Sequence, residues 1–466
     1  MQEHFNKSYL WRICLVSTLG GLLFGYDWVV IAGAKPFYEL YFNLSDELTK
    51  GWAMSSALVG CMLGAITSGV LSDRFGRKKL LILAALLFTL SAVGTGLVHD
   101  FTAFIVFRLV GGIGIGLASN LSPMYIAEVS PAKTRGKMVS LNQLAIVIGI
   151  VAAQVVNWLI ARDLTADLEG TALLNSWYGQ TAWRWMFAAE TFPAALFFIL
   201  MFTVPESPRW LIQNGQEDLA AVTLTTIGGD RYAQGEITNV QALIARESHQ
   251  AGITELFQPK VMRIILIGVI LAAYQQLCGI NVILLYAEEV FKAAGYQLSG
   301  IMMNIVTTGI VLLLFTFVAI FSVDRLGRRA LMLAGSAGLV VLHAAIALCY
   351  MNHSEGIHVL LLILAAIACY ASTLAPITWV LLAELFPNRV RGAAMSIAVL
   401  ALWVTCAGVA QGFPILHTAV GASGSFWTFS GICLFGLLFC WKALPETRGK
   451  SLEEVEAEIL GIEFQE

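Results

Sequence analysis

Apolar runs long enough to cross a bilayer recur twelve times along this 466-residue chain, beginning near residues 11, 51, 80, 101, 138, 183, 262, 300, 331, 358, 393 and 424. About 20 such residues span the hydrocarbon core as a helix. In lipid every backbone N–H and C=O must be satisfied within the protein, which leaves helices or closed barrels. Barrel strands would be about ten residues long with alternating polarity, and these runs do not alternate. Composition agrees, with 58% hydrophobic and 13% charged residues, against about a quarter charged in soluble chains. The expected fold class is an all-α integral membrane protein of twelve transmembrane helices.

The 28 Lys and Arg set its orientation. Most lie at the N-terminus (Lys7, Arg12), in the loops after runs 2 and 4, in segment 206–260, around Arg328 and Arg391, and after Lys442. The alternate loops hold only Lys35, Lys50, Arg162, Arg184 and Lys292. The cation-rich side is cytoplasmic, and an even number of spans puts both termini there. Nothing resembles the basic face that nucleic acid requires. The eight cysteines fall in apolar runs without a C-x-x-C pair and are expected to be buried thiols, with neither disulfide nor metal site.

The chain repeats. Asp73-Arg-Phe-Gly-Arg-Lys78 returns as Asp324-Arg-Leu-Gly-Arg-Arg329, Glu128…Pro131…Arg135-Gly136 as Glu384…Pro387…Arg391-Gly392, and Pro205-Glu206-Ser207 as Pro445-Glu446-Thr447. Such pairs at similar offsets mean two parallel six-helix halves. The expected organisation is an N-terminal half over 1–205, a small cytoplasmic helical linker over 206–260, a C-terminal half over 261–444 and a cytoplasmic tail over 445–466. Asp27 stands inside the first apolar run. A charge at the bilayer centre costs at least about 2.5–3.5 kcal/mol, so its presence there points to function.

Gly69-x-x-x-Asp73-Arg-x-Gly-Arg-Lys78, Pro205-Glu-Ser-Pro-Arg-Trp210, Gln275-Gln-x-x-Gly-x-Asn281 and Pro445-Glu-Thr-x-Gly449 together resemble the sugar porter family of the major facilitator superfamily. The resemblance runs from about residue 10 to residue 456, and Leu121-Ser-Pro-Met-Tyr-Ile-Ala-Glu128 is similar to the wording of bacterial xylose:proton symporters. It implies a secondary active transporter, not an enzyme, that moves a monosaccharide with a proton by alternating access. A sugar uniporter and a polyol or disaccharide symporter are the alternatives. The partners implied are a monosaccharide, a proton and the lipid bilayer, with no nucleic acid. No cofactor is expected beyond the coupling ion H+, and the chain is expected to work as a monomer in the cell inner membrane.

The same resemblance implies roles for residues. Gln143, Gln275, Gln276 and Asn281 match sugar hydrogen-bonding positions, and an amide offers both donors and acceptors to adjacent hydroxyls. Trp379 matches an aromatic platform, with Phe24 and Trp403 as pocket walls. Gln154 is a new amide three helical turns beyond Gln143 on the same face. Four positions that are polar in xylose symporters are aliphatic here, namely Leu285, Leu312, Ile150 and Leu402, so the pocket is expected to discriminate sugars differently. Arg108 matches the arginine that pairs with the aspartate at Asp27: deprotonated Asp27 engages it and protonated Asp27 releases it. Asp73, Arg77, Glu128, Arg135, Glu206, Arg328, Glu384 and Arg391 match a cytoplasmic gate of ion pairs. Gly111-Gly-Ile-Gly-Ile-Gly116 lies mid-span without a preceding strand and is expected to serve close helix packing, not nucleotide binding. Glu190, beside Trp183-Arg184-Trp185, is expected to be a structural or snorkelling charge at the outer end of run 6, and His343 and His417 packed or rim residues.

Overall fold

The computed structural model describes residues 5–164, 168, 170–247, 256–386, 390–447 and 454. Pro387 and Arg389 of the second repeat copy, residues 248–255 of the linker and nearly all of the tail after Thr447 lie outside them. The described residues are helical, with no strand.

Five long helices come first: α1 (Lys7–Tyr41), α2 (Glu47–Phe75), α3 (Arg77–Leu97), α4 (Phe101–Val129) and α5 (Ala132–Ala161). The sixth apolar run is broken. A short α6 (Gly170–Asn175) leads to a π-helical turn at Tyr178–Ala182, then α7 (Trp183–Ala188) and α8 (Thr191–Met201). The linker forms α9 (Pro208–Gln213), α10 (Glu217–Gly228) and α11 (Asp230–Glu247). The seventh run is α12 (Pro259–Leu277) and α13 (Ile280–Leu285), followed by α14 (Ala287–Ala293). Then come α15 (Leu298–Leu326), α16 (Arg328–Met351), and the pair α17 (Ile357–Ser372) and α18 (Leu374–Leu385) for the tenth run. The last two runs form α19 (Arg391–Ala443), which changes course at Gly421, φ +70°. Among the described residues, eleven helical stretches are long and apolar enough to cross a membrane, and the last, 53 residues long, holds the final two runs.

The boundaries have local causes. Asp100 caps α4 by accepting from Ala103 N at 2.9 Å. Ser207 caps α9, where Pro208 occupies the first turn and needs no donor. The glycines of the repeated Asp-Arg-x-Gly-Arg motif, Gly76 and Gly327, take φ of +92° and +88°. That left-handed turn separates α2 from α3 and α15 from α16 and suits glycine alone.

Packing divides the chain into two compact units. The first comprises residues 1–28, 59–153 and 187–250, and the second 29–58, 154–186 and 251–466. In the first, α2 and α4 meet through glycines. A Cβ on Gly60 would stand 2.9 Å from Gly112 Cα, and one on Gly116 would stand 2.8 Å from Gly64 Cα. The glycine run of α4 is therefore a packing face, where small residues let two backbones touch. The linker helices belong to this unit, with a small core of Trp210, Leu211, Ile212, Ala220 and Val240. Trp210 Nε1 donates to Asp73 O at 2.9 Å, fastening the linker under α2. In the second unit, α12 and α16 both pack on α19.

Candidate proton and substrate sites

In the first unit, the charge at Asp27 is answered. Arg108 Nη1 on α4 donates to Asp27 Oδ1 and Nη2 to Asp27 O, the latter at 3.4 Å. Both side chains are 2% exposed. Arg108 also lies over the Phe187 ring, 5.4 Å from its centroid. The α4 backbone makes room: a Cβ on Gly111 would stand 2.8 Å from Asp27 Oδ2. Asp27 Oδ2 and Arg108 Nε have no hydrogen-bond partner, so the pair is incompletely satisfied and a proton has a free oxygen to occupy.

A second carboxyl group lies near this site. Glu190 is 2% exposed, its Oε1 has no hydrogen-bond partner, and it feels the charges of Asp27 and Arg108. Of the two expectations for it, structural or snorkelling, burial removes the second. Glu190 lies at the junction of α7 and α8. Of the other candidates in this unit, Phe24 is half-buried with its ring edge-to-face on Trp28, 6.0 Å between centroids, and Gln143 is exposed on α5.

In the second unit, Gln275, Gln276 and Asn281 come together across the break of the seventh span. α12 stops at Leu277, Gly279 takes φ +90°, and α13 restarts at Ile280. Asn281 Nδ2 donates to Gln276 Oε1, Gln276 Nε2 to Gln275 Oε1 at 3.3 Å, and Gln275 Nε2 to Ala375 O of α18 at 3.3 Å. Interhelical adhesion would send these amides to other helices. Here two of the three bonds are to one another, and each amide keeps hydrogen-bonding capacity to spare. Gln154 is stronger still, because it is 1% exposed and neither its Oε1 nor its Nε2 has a partner. A buried polar group left unmatched costs about 1–3 kcal/mol, so a fully orphaned amide calls for a ligand or water. Trp403 is buried in α19, whereas Trp379 on α18 is 40% exposed. Leu285, Leu312, Ile150 and Leu402 are all buried.

Most of the residues expected to form the gate gather in two equivalent clusters, one in each unit. In the first, Arg77 pairs with Glu128 through Nε at 3.0 Å and Nη2 at 3.1 Å, and with Asp73 through Nη1 at 3.3 Å. Glu206 accepts from the N–H groups of Arg77 and Lys78, both at 3.0 Å, so it caps α3. Ser207 Oγ donates to Glu128 at 2.5 Å. In the second, Arg328 Nη2 donates to Glu384 at 3.1 Å, Glu446 accepts from Arg328 N and Arg329 N at 2.9 and 3.2 Å, and Thr447 Oγ1 donates to Glu384 at 2.5 Å. A carboxylate at a helix N-terminus is favoured by the dipole and the unsatisfied N–H groups. Arg135 lies exposed, with no carboxylate partner among the described residues. Arg391 Nε donates to Phe386 O at 3.2 Å.

One cluster is not anticipated by the sequence motifs. Lys35, 4% exposed on its side chain, meets Glu39, Glu288 and Glu289 at 3.3, 3.2 and 2.6 Å, joining α1 to α14. Burial, opposed by Lys35, raises the Glu289 carboxyl above its usual range. A lysine at the end of the first apolar run is as much a signal as Asp27.

Comparison with known proteins places this geometry in a family. The sequence profile described as sugar (and other) transporter matches residues 13–459. The D-xylose-proton symporter of Escherichia coli K12 is 39% identical, with 98% of this chain and 97% of that protein aligned. The arabinose-proton symporter of Bacillus subtilis is 37% identical over 97% of this chain and 95% of its own. The inward-open structure of the xylose transporter XylE from E. coli superposes with a TM-score of 0.84 at 38% identity, covering 97% of this chain and all of that one. With its twelve helical spans, its internal repeat and these relatives, the chain belongs to the sugar porter family of the major facilitator superfamily and is a multi-pass membrane transporter.

Proposed function

We propose that this transporter carries a pentose or hexose together with a proton by alternating access. The buried Asp27–Arg108 pair, with a free carboxylate oxygen and Glu190 in its field, carries this proposal. Deprotonated Asp27 holds Arg108 and ties α1 to α4. A proton on Asp27 Oδ2 neutralises the carboxylate and weakens that tie. The pair is thus a two-state element biased by one proton. Relatives that carry xylose and arabinose with a proton support the same reading.

The sugar is read by Gln275, Gln276, Asn281 and Gln154, with Gln143 as a further amide. Phe24, Trp379 and Trp403 offer apolar faces to the sugar's C–H groups. Gln154 brings one acceptor and one donating group, both unmatched until a pair of hydroxyls arrives. Leu285, Leu312, Ile150 and Leu402 are aliphatic and offer a sugar no hydrogen bond, so fewer hydroxyls are matched. The two cytoplasmic clusters, Asp73–Arg77–Glu128–Glu206 and Arg328–Glu384, with Arg135 and Arg391, serve the cytoplasmic gate. The cation-rich loops place both termini in the cytoplasm of a cell whose inner membrane holds the transporter, working as a monomer with H+ as its coupling ion.

The test is sugar counterflow into proteoliposomes loaded in turn with xylose, arabinose, glucose, galactose, fructose or inositol. One of these sugars exchanges in the wild type, and Gln275→Leu raises its KM about tenfold or more. A wild type that exchanges none of them, or inositol alone, contradicts pentose or hexose transport.

A further inference from the structure

His343 has no place in the proton site and sits 65 residues from the residue it touches. It lies on α16, 0% exposed, with its ring 5.6 Å from that of Phe426 and 6.2 Å from that of Phe429. Its Nε2 is 2.8 Å from Cys278 O, and its Nδ1 has no partner. A carbonyl only accepts, so the Nε2 carries the hydrogen and donates it.

Cys278 is the residue at which the seventh span breaks. α12 ends at Leu277, and the carbonyls at a helix end lack an intrahelical donor. In a membrane such a carbonyl is tolerated only if the protein satisfies it. His343 supplies the donor, and Cys433 Sγ adds a weak second one at 3.6 Å. The break carries the amides: Gln275 and Gln276 lie just before it and Asn281 just after it. Cys278 Sγ also donates to Gln275 O at 3.0 Å, so the residue held by His343 is bonded to the residue that reads the sugar. On the other flank, the Phe429 ring packs against Gly279 so closely that a Cβ there would stand 2.7 Å from its Cγ.

We propose that His343 is a positioning residue for sugar recognition: its Nε2–H fixes the Cys278 carbonyl and thereby the spacing of Gln275, Gln276 and Asn281 across the break. This rests on the proposal that those amides bind the sugar. The role requires a donor at the reach of Nε2, not a charge. A leucine fills the aromatic cage without a donor, and a glutamine restores an N–H at similar reach.

The experiment compares wild type, His343→Leu and His343→Gln by two readouts. The first is hydrogen exchange of amides 279–286 in the purified full-length protein, which needs no substrate. The second is counterflow KM and maximal rate for whichever of xylose, arabinose, glucose or galactose the wild type exchanges. Exchange at 279–286 rises about tenfold in His343→Leu with the global unfolding midpoint little changed, KM rises about five- to tenfold while the maximal rate holds, and His343→Gln reverses most of both. Exchange at 279–286 in His343→Leu equal to wild type overturns the proposal, whatever sugar is carried. So does a KM change that His343→Gln leaves uncorrected. Absence of wild-type counterflow alone contradicts the transport reading, while hydrogen exchange still decides whether His343 holds the break.

Discussion

Gln154 is the residue whose chemistry is least explicable by folding. An amide with both polar ends orphaned at 1% exposure destabilises the resting protein. Gln154→Leu is therefore expected to hold or raise the thermal unfolding midpoint, by the equivalent of about 1–2 kcal/mol, while weakening sugar binding about tenfold. A midpoint several degrees lower would mean that the amide is part of the packing. Charge removal at the proton site has an asymmetric outcome. Asp27→Asn keeps an amide oxygen that can accept from Arg108, whereas Arg108→Met leaves the Asp27 carboxylate without its donor. Removing one partner of a buried pair costs about 3–5 kcal/mol, so Arg108→Met is expected to lower the unfolding midpoint more than Asp27→Asn, measured side by side in detergent. Asp27 is legible in the sequence because a carboxylate within an apolar run has few innocent explanations. The depth of Glu190 is not, since its burial depends on tertiary packing that leaves no mark in the spacing. Lys35 has the look of a loop charge, with Pro36 directly after it. Pro36 in fact lies within α1, which continues to Tyr41, so Lys35 is a helical residue facing α14.

Among the elements, the break in the seventh span decides where the amides proposed to read the sugar stand. Gly279 is fixed there twice over, by φ +90° and by the Phe429 ring. Gly279→Ala is expected to destabilise the transporter by about 1–3 kcal/mol and to abolish counterflow. Gly136→Ala on α5, where an added Cβ meets nothing within 4 Å, is the matched control and should lose neither stability nor transport. Equal behaviour of the two variants would show that the break is not structurally demanding. The motif Gln275-Gln-x-x-Gly-x-Asn281 foretells the amides by resemblance, yet their mutual bonding depends on the break and cannot be read from spacing. His343 shows the same limit, because its partner is a carbonyl freed only when the helix ends.

For the whole molecule, the repeat is the most legible feature, and the two arginine–glutamate clusters show why. Pro205-Glu206-Ser207 and Pro445-Glu446-Thr447 do the same work in their own units: the glutamate caps a helix, and the hydroxyl bonds the carboxylate that an arginine also holds. Sequence identity between the copies is a record of that shared geometry. The apolar runs likewise report the twelve spans, since lipid leaves the backbone no alternative to hydrogen-bonded helices. Coupling gives the molecule its use. One proton moving through 100 mV supplies about 2.3 kcal/mol, enough for roughly 50-fold accumulation of sugar. In the proposed mechanism this proton rides on Asp27. Its direct test is the external pH of lightly buffered, de-energised cells or proteoliposomes on addition of the transported sugar, for wild type and Asp27→Asn. Alkalinisation outside is expected with the wild type and none with Asp27→Asn, although the variant still performs counterflow. Sugar entry into wild-type vesicles without any pH change, or alkalinisation undiminished in Asp27→Asn, would contradict it.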